Sequence, residues 1–311
     1  MHVHKLVVLA SLNAVAIAAD ASAAFNKVYA TKLWAGKNKH PSSGAGSTLK
    51  ATTTTCAVLK RAVVMRRARA RRFNTGVKIL DTPCGDWTWM PSCLQKIASE
   101  ARVSLIYQGV DVVESVVTKL NARVAGAGGL PTPPPQHPPA AELNVTVLPF
   151  QVADVGNLTR MSDFANHFDV IVSKHMLIHT PNEFIFSVLR SWNAIGAAFL
   201  VTDNWPYPNP SLLSQPVNTN IDFGQYREMN LHAAPFQLSA PLCTTVDHAM
   251  CDEVPGYRNG APKGGCRPTI GIFRFPLAWA DPAAVAGSPQ PAGPSQLVKL
   301  PDCLKQMHLL L

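Results

Sequence analysis

The chain has 311 residues, 47% hydrophobic and only 15% charged, which is enough apolar material to bury one large core or two small ones. Its 19 Gly and 26 Pro exclude a coiled coil, and the apolar content excludes a wholly disordered chain. The net charge of +9 is local: Lys60 to Arg72 carries seven basic residues and no acid, and the other 21 nearly balance the 19 acids. No aromatic platform interleaves that run, so a nucleic-acid partner is not expected from it.

In chain order, His2, His4 and Lys5 precede an apolar run from Leu6 to Ala19 and then Ala21-Ser22-Ala23. This pattern predicts a secretory signal over residues 1–23, cut after Ala23; an acid-free organellar transit peptide is the alternative. The run falls short of the ~20 apolar residues a spanning helix needs, and no later stretch approaches that length, so no membrane span is expected. Residues 24–76 form a lead-in containing Trp and Gly, followed by a basic helix over Cys56 to Arg72. Two sequons, Asn144-Val145-Thr146 and Asn157-Leu158-Thr159, become glycan acceptors if the chain enters the secretory pathway.

From Val77 short apolar runs alternate with helical ones: Val77 to Leu80, Leu94 to Arg102, Ser104 to Val110 and Val113 to Ala125. The series continues with a strand at Asn144 to Leu148, a helix near Leu158 to Asn166 and a strand at Phe168 to Ser173. A helix over Glu183 to Asn193 and a strand over Ala197 to Thr202 complete it. Such alternation predicts an α/β domain over residues 77–280, with a mostly parallel sheet covered by helices on both faces. A Pro-rich insertion at 126–139 interrupts it; beyond Trp205 the pattern is irregular until a strand at Thr269 to Phe275, and 281–311 reads as a flexible tail. Of seven cysteines, Cys243, Cys251 and Cys266 belong to a Cys-containing loop at 240–268. They lack a paired Cys-x-x-Cys knuckle, so disulfides or packing are expected there and no metal.

In an open parallel sheet the ligand lies beyond the carboxyl ends of the strands, which directs attention to four loops. The first reads Asp81-Thr82-Pro83-Cys84-Gly85-Asp86-Trp87, with Gly85 admitting a ligand close to the backbone. The second strand ends at Asp111, placed to accept two hydrogen bonds from a ribose diol. Asp154 and Val155 follow the third and suit an adenine amine and ring nitrogen; the fourth leads into Lys174-His175-Met176-Leu177-Ile178-His179. The absence of G-x-G-x-x-G and of G-x-x-x-x-G-K-[ST] weighs against a dinucleotide and against P-loop chemistry.

These residues resemble a class I S-adenosylmethionine-dependent methyltransferase, in a subgroup whose first motif reads Asp-x-Pro-Cys-Gly-Asp-x-x-Trp-Met, here Asp81 to Met90. The resemblance extends over Trp34-x-Gly36, Ser43-Gly44-x-Gly46-Ser47, Tyr107-x-Gly109-x-Asp111, Phe168 to Ile171, His179 and Tyr226-Arg227-x-x-Asn230-Leu231. It implies a Rossmann-like doubly wound fold and S-adenosyl-L-methionine as cofactor. It also implies methyl transfer to a polar acceptor, a small molecule or a glycan. Asp81, Cys84 and Gly85 would line the methionine end, Asp111 the ribose, Asp154 and Val155 the adenine, and Lys174 the sulfonium, with Trp34 or Trp87 stacking on cofactor or substrate. His179 and His175 are the candidate bases, and Arg227 and Asn230 the candidate substrate-binding residues. Lys174-His175 departs from the Arg-Asp more frequent in the group, which keeps a non-catalytic lumenal binding protein as the alternative reading.

Overall fold

Alternate residues along the strands enter two different cores, and this divides the molecule into layers. In the computed structural model, Ile79, Tyr107, Val170, Val172, Phe199, Val201 and Ile272 pack on one side of the sheet, and Leu80, Val110, Ile171, Leu200 and Phe273 on the other. The structure describes residues 20–35, 40–69, 76–126, 144–160, 167–206, 218–253, 266–279 and 301–305. The greater part of the proposed signal, the Pro-rich insertion beyond residue 126 and most of the proposed tail lie outside them.

The elements in chain order are α1 (20–31), α2 (Thr53–Arg69), β1 (Val77–Asp81), α3 (Met90–Ala101), β2 (Leu105–Asp111) and α4 (Glu114–Gly126). They continue with β3 (Val145–Val147), β4 (Gln151–Val152), β5 (Val170–Ser173), α5 (Asn182–Ile195), β6 (Phe199–Asn204), β7 (Cys243–Val246), α6 (His248–Glu253) and β8 (Thr269–Arg274). The sheet runs β3-β2-β1-β5-β6-β8-β7, with β4 also paired to β2. Strands β1 to β6 pair in parallel, whereas β8 runs antiparallel to β6 and β7. This is a doubly wound, mostly parallel α/β sheet, and its strand order reverses between β1 and β5.

Helices α2, α3 and α4 cover one face through Val58, Leu59, Leu94, Ile97, Val117 and Leu120, and α5 covers the other through Ile185, Leu189 and Trp192. The basic run on α2 works within the fold. Arg66 Nε lies 2.6 Å from Asp169 Oδ1, Lys60 Nζ 2.6 Å from Glu100 Oε2, and the Arg69 guanidinium 5.1 Å over the Phe199 ring. Arg67 donates to the Ala101 carbonyl, and Arg61 is buried.

Several expectations are corrected. The segment after Trp205 contains β7 and α6, which the sequence pattern does not reveal. Of the helix expected at Leu158 to Asn166, residues 161–166 lie outside the described residues, and 158–160 close a 3-10 segment at Val155–Arg160. The expected flexible tail is docked at residues 301–305: Asp302 bridges to Thr244, and Cys303 forms a disulfide with Cys243. Disulfides also join Cys56 to Cys93 and Cys251 to Cys266, leaving Cys84 as the free thiol. Among the described residues no helix is long and apolar enough to cross a membrane.

Candidate active site

The strands β1, β2 and β5 end together at the reversal point, and a cavity of about 240 Å³ opens there. Asp81, Cys84, Gly85, Asp111, Asp154, Val155, Lys174, His175, His179 and Trp34 all line it. The four sequence loops therefore converge on one place.

Its floor is the turn between β1 and α3. Gly85 has φ +56°, a left-handed conformation that favours glycine, and a Cβ there would lie 3.1 Å from the Ser43 Cβ. Asp111 accepts the Gly85 N–H at 3.1 Å through one oxygen and the Val113 N–H at 3.0 Å through the other. Burial, opposed by these bonds, raises its carboxyl to about 6. Asp81 is also buried; it accepts the Tyr107 hydroxyl at 2.7 Å, and burial pushes it up to about 8. The Cys84 thiol is held well above its ordinary value by burial and by Asp111 and Asp81, so it stays protonated. Asp154 accepts the Gly156 N–H at 2.9 Å, turning the chain so that Asp154 and Val155 both border the cavity.

The lead-in forms the roof. Ser43 donates its hydroxyl to Asp86 Oδ1 at 2.6 Å, fixing Ser43 to Ser47 across the β1 turn. Gly46 admits the His175 ring: a Cβ there would meet His175 Nδ1 at 2.3 Å. Trp34 stacks on His179 with ring centroids 4.4 Å apart, and Tyr226 lies 5.9 Å from the same imidazole.

The fourth loop carries the titratable groups. His175 has φ +57°, strained for a non-glycine residue, and its backbone N–H donates to Asp203 Oδ1 at 2.7 Å. Its Nε2 lies 3.2 Å from the Lys174 ammonium, which can only donate, so Nε2 accepts. His179 Nδ1 lies 2.7 Å from the Gln225 carbonyl, which can only accept, so Nδ1 carries the proton and Nε2 keeps its lone pair. Burial lowers both imidazoles, His179 to about 4, and His175 is lowered further by the neighbouring Lys174 charge. Both rings are neutral at physiological pH. They do not share a helix face; only Leu177–His179 is helical, as a 3-10 turn.

Three sequence candidates fall elsewhere. Arg227 is buried away from the cavity, donating to the Thr219 carbonyl at 2.7 Å and the Thr180 carbonyl at 2.9 Å. Asn230 is held within its loop: its N–H donates to the Asn218 side-chain Oδ1 at 2.9 Å and its own Oδ1 accepts the His232 N–H at 3.0 Å. Both close the loop over α5 rather than line the cavity. Trp87 packs in the core against Phe150 at 5.1 Å, beneath Arg123. Phe25, Tyr29, Trp89, Phe184, Tyr226 and Met250 line the cavity instead. Trp89 and Tyr226 belong to the motifs quoted above, which assign them no role, whereas Phe25, Tyr29, Phe184 and Met250 belong to none.

Fold and site together define a doubly wound α/β protein with a ligand cavity at its switch point. No family model matches the sequence, and no curated protein does. Among solved structures, the chain is similar to the DszA carbon methyltransferase at 19% identity and TM-score 0.33, covering 46% of this chain and 32% of that one. Magnesium protoporphyrin IX methyltransferase from Synechocystis PCC 6803, solved with bound SAM, gives 11% identity, TM-score 0.36, and coverage of 71% and 80%. The Burkholderia thailandensis 1,6-didemethyltoxoflavin-N1-methyltransferase gives 17%, 0.39, and coverage of 72% and 79%. At such values the fold is defined by its own strand order and register.

Proposed function

We propose that the protein is an S-adenosylmethionine-dependent methyltransferase. One observation carries the reading: Asp111, at the end of β2, is hydrogen-bonded to Gly85 in the β1 turn, and both face the cavity at the switch point. A carboxylate so placed suits a ribose diol, and the glycine lets a ligand lie against the turn. The donor set fits a cationic nucleoside: Asp81, Asp111 and Asp154 surround the cavity, with Lys174 as the one cation among its described lining residues. Asp81, Cys84 and Gly85 would hold the methionine end, Asp111 the ribose, and Asp154 with Val155 the adenine.

When bound, the cofactor supplies a methyl group on an electrophilic sulfonium. The protein's own task is to align a nucleophile and exclude water. Trp34, Gly46 and Tyr226 roof the cavity for the second purpose. His175 Nε2 is occupied by Lys174, so His179 Nε2 is the imidazole nitrogen left with a lone pair towards a polar acceptor. Lys174 and His175 both border the cavity, which supports a working site despite their departure from the subgroup pattern.

Asp111→Ala should weaken S-adenosylhomocysteine binding by about a hundredfold, as expected when a bidentate acceptor of a diol is lost. Unchanged affinity in calorimetry, with the thermal midpoint retained, would remove the ribose assignment. We further infer export to an oxidising compartment, which the three disulfides support.

A further inference from the structure

Around the cavity the carboxyl groups and the cation are segregated. Asp81, Asp111 and Asp154 lie towards β1, β2 and β4, whereas Lys174 stands alone at the end of β5. The Lys174 side chain is 7% exposed, with its ammonium 3.4 Å from Asp247 Oδ2 and 3.2 Å from His175 Nε2. Two of its three protons are thus directed, and the side chain still borders the cavity. The frame behind it is built. Asp247 is fully buried, its Oδ1 accepts the Met250 N–H at 3.2 Å, and its carbonyl accepts the Cys251 N–H at 3.2 Å. The Cys251–Cys266 disulfide ties the same segment to the strand β8 lead-in.

The groups available to take a proton are poor. Lys174 occupies the accepting nitrogen of His175, and His179 Nε2, though it keeps its lone pair, is a weak base because burial lowers the imidazole to about 4. Asp81 is engaged by Tyr107 and Asp203 by the His175 backbone. An acceptor that must lose a proton to react finds little help here. The Lys174 ammonium would also repel a neighbouring sulfonium, and an anion lying between the two converts that repulsion into attraction.

We propose that the methyl acceptor is a carboxylate with an apolar or aromatic body, docked through one oxygen on Lys174 Nζ and methylated to a methyl ester. This rests on the methyltransferase reading above. A carboxylate oxygen forms a bond to the methyl carbon, the carbon–sulfur bond breaks, and its electron pair stays on sulfur, leaving a neutral thioether. No proton is released, so no base is required. Phe25, Trp34 and Tyr226 on the cavity wall suit the acid's apolar body.

The test uses the full chain saturated with S-adenosylhomocysteine and titrated with phenylacetate, phenylacetamide and 2-phenylethanol. Phenylacetate should bind at least about tenfold more tightly than either neutral analogue. The double variant Lys174→Gln/Asp247→Asn, which leaves no orphan buried charge, should lose that preference when titrated at saturating S-adenosylhomocysteine. Equal binding of the three probes, or an acid preference surviving in the double variant, would overturn the proposal. With a methyl-labelled donor, the label on phenylacetate should be released as volatile methanol by mild alkali; alkali-stable label would also overturn it. Failure of S-adenosylhomocysteine to bind the unmodified chain would instead locate the fault in the methyltransferase reading.

Discussion

Asp81 holds a proton at neutral pH that the unfolded chain has already released, because burial places its carboxyl at about 8 against an ordinary 3.8. Between those values the folded state binds more protons, so this stabilising contribution is complete below about pH 4 and is lost as pH rises through 8. Asp81→Asn should therefore flatten the decline in thermal midpoint between pH 5 and pH 8.5; an unchanged slope would contradict the assignment. A cationic ligand favours ionised Asp81, so S-adenosylmethionine affinity should rise over the same window with proton release. Calorimetry in two buffers of different ionisation enthalpy reads that release. His179 acts in the opposite sense: its folded value of about 4 lies below 6.5, so its contribution is present above pH 6.5 and lost as pH falls through 4. At Gly46 a methyl group would meet the His175 ring at 2.3 Å. Gly46→Ala should cost about 1–3 kcal/mol of overpacking and weaken cofactor binding, measured by denaturant midpoint and titration.

Elements differ in how much of their placement the sequence discloses. Strands β1, β2, β5 and β6 lie within two residues of the runs that predict them, because each is an apolar run buried on both faces. β7 escaped that reading: it is four residues long, half of them Thr, and is held by β8 and by a disulfide to Cys303 across 60 residues. Non-local pairing of this kind leaves no local periodicity. The acids of the cavity were legible because they follow strand ends at fixed offsets. Arg227 and Asn230 were legible as polar residues, but not their direction, since their partners are loop carbonyls and amides 2 to 47 residues away. The loop bearing them is also tied down by Arg267 and Glu228, a pair with side chains 2% and 6% exposed. Glu228→Ala should remove a buried carboxylate from the Arg267 guanidinium and cost about 3–5 kcal/mol in a denaturant titration. Opening Cys56–Cys93, which joins α2 to α3 across 37 residues, should cost about 3–4 kcal/mol by chain entropy.

The whole molecule bears on where the proposed leader would be cut. Helix α1 crosses the proposed cut after Ala23, with Ala21 1% exposed on the cavity wall. Ala16-Ile17-Ala18 offers the same small-x-small pattern and leaves the described residues 20–31 of α1 intact. Export through a secretory host should then yield a mature chain starting at Ala19, read by N-terminal sequencing; a start at Ala24 would mean that the cavity forms without Ala21. Asn144 is exposed beside edge strand β3, so the same material should carry a glycan there that Asn144→Gln removes. The central claim concerns the ligand of the switch-point cavity, and calorimetric titration of the mature chain with S-adenosylmethionine, S-adenosylhomocysteine and NAD tests it most directly. The account expects micromolar binding of both sulfur ligands and none of NAD; folded protein that binds neither sulfur ligand, or that prefers NAD, would contradict it.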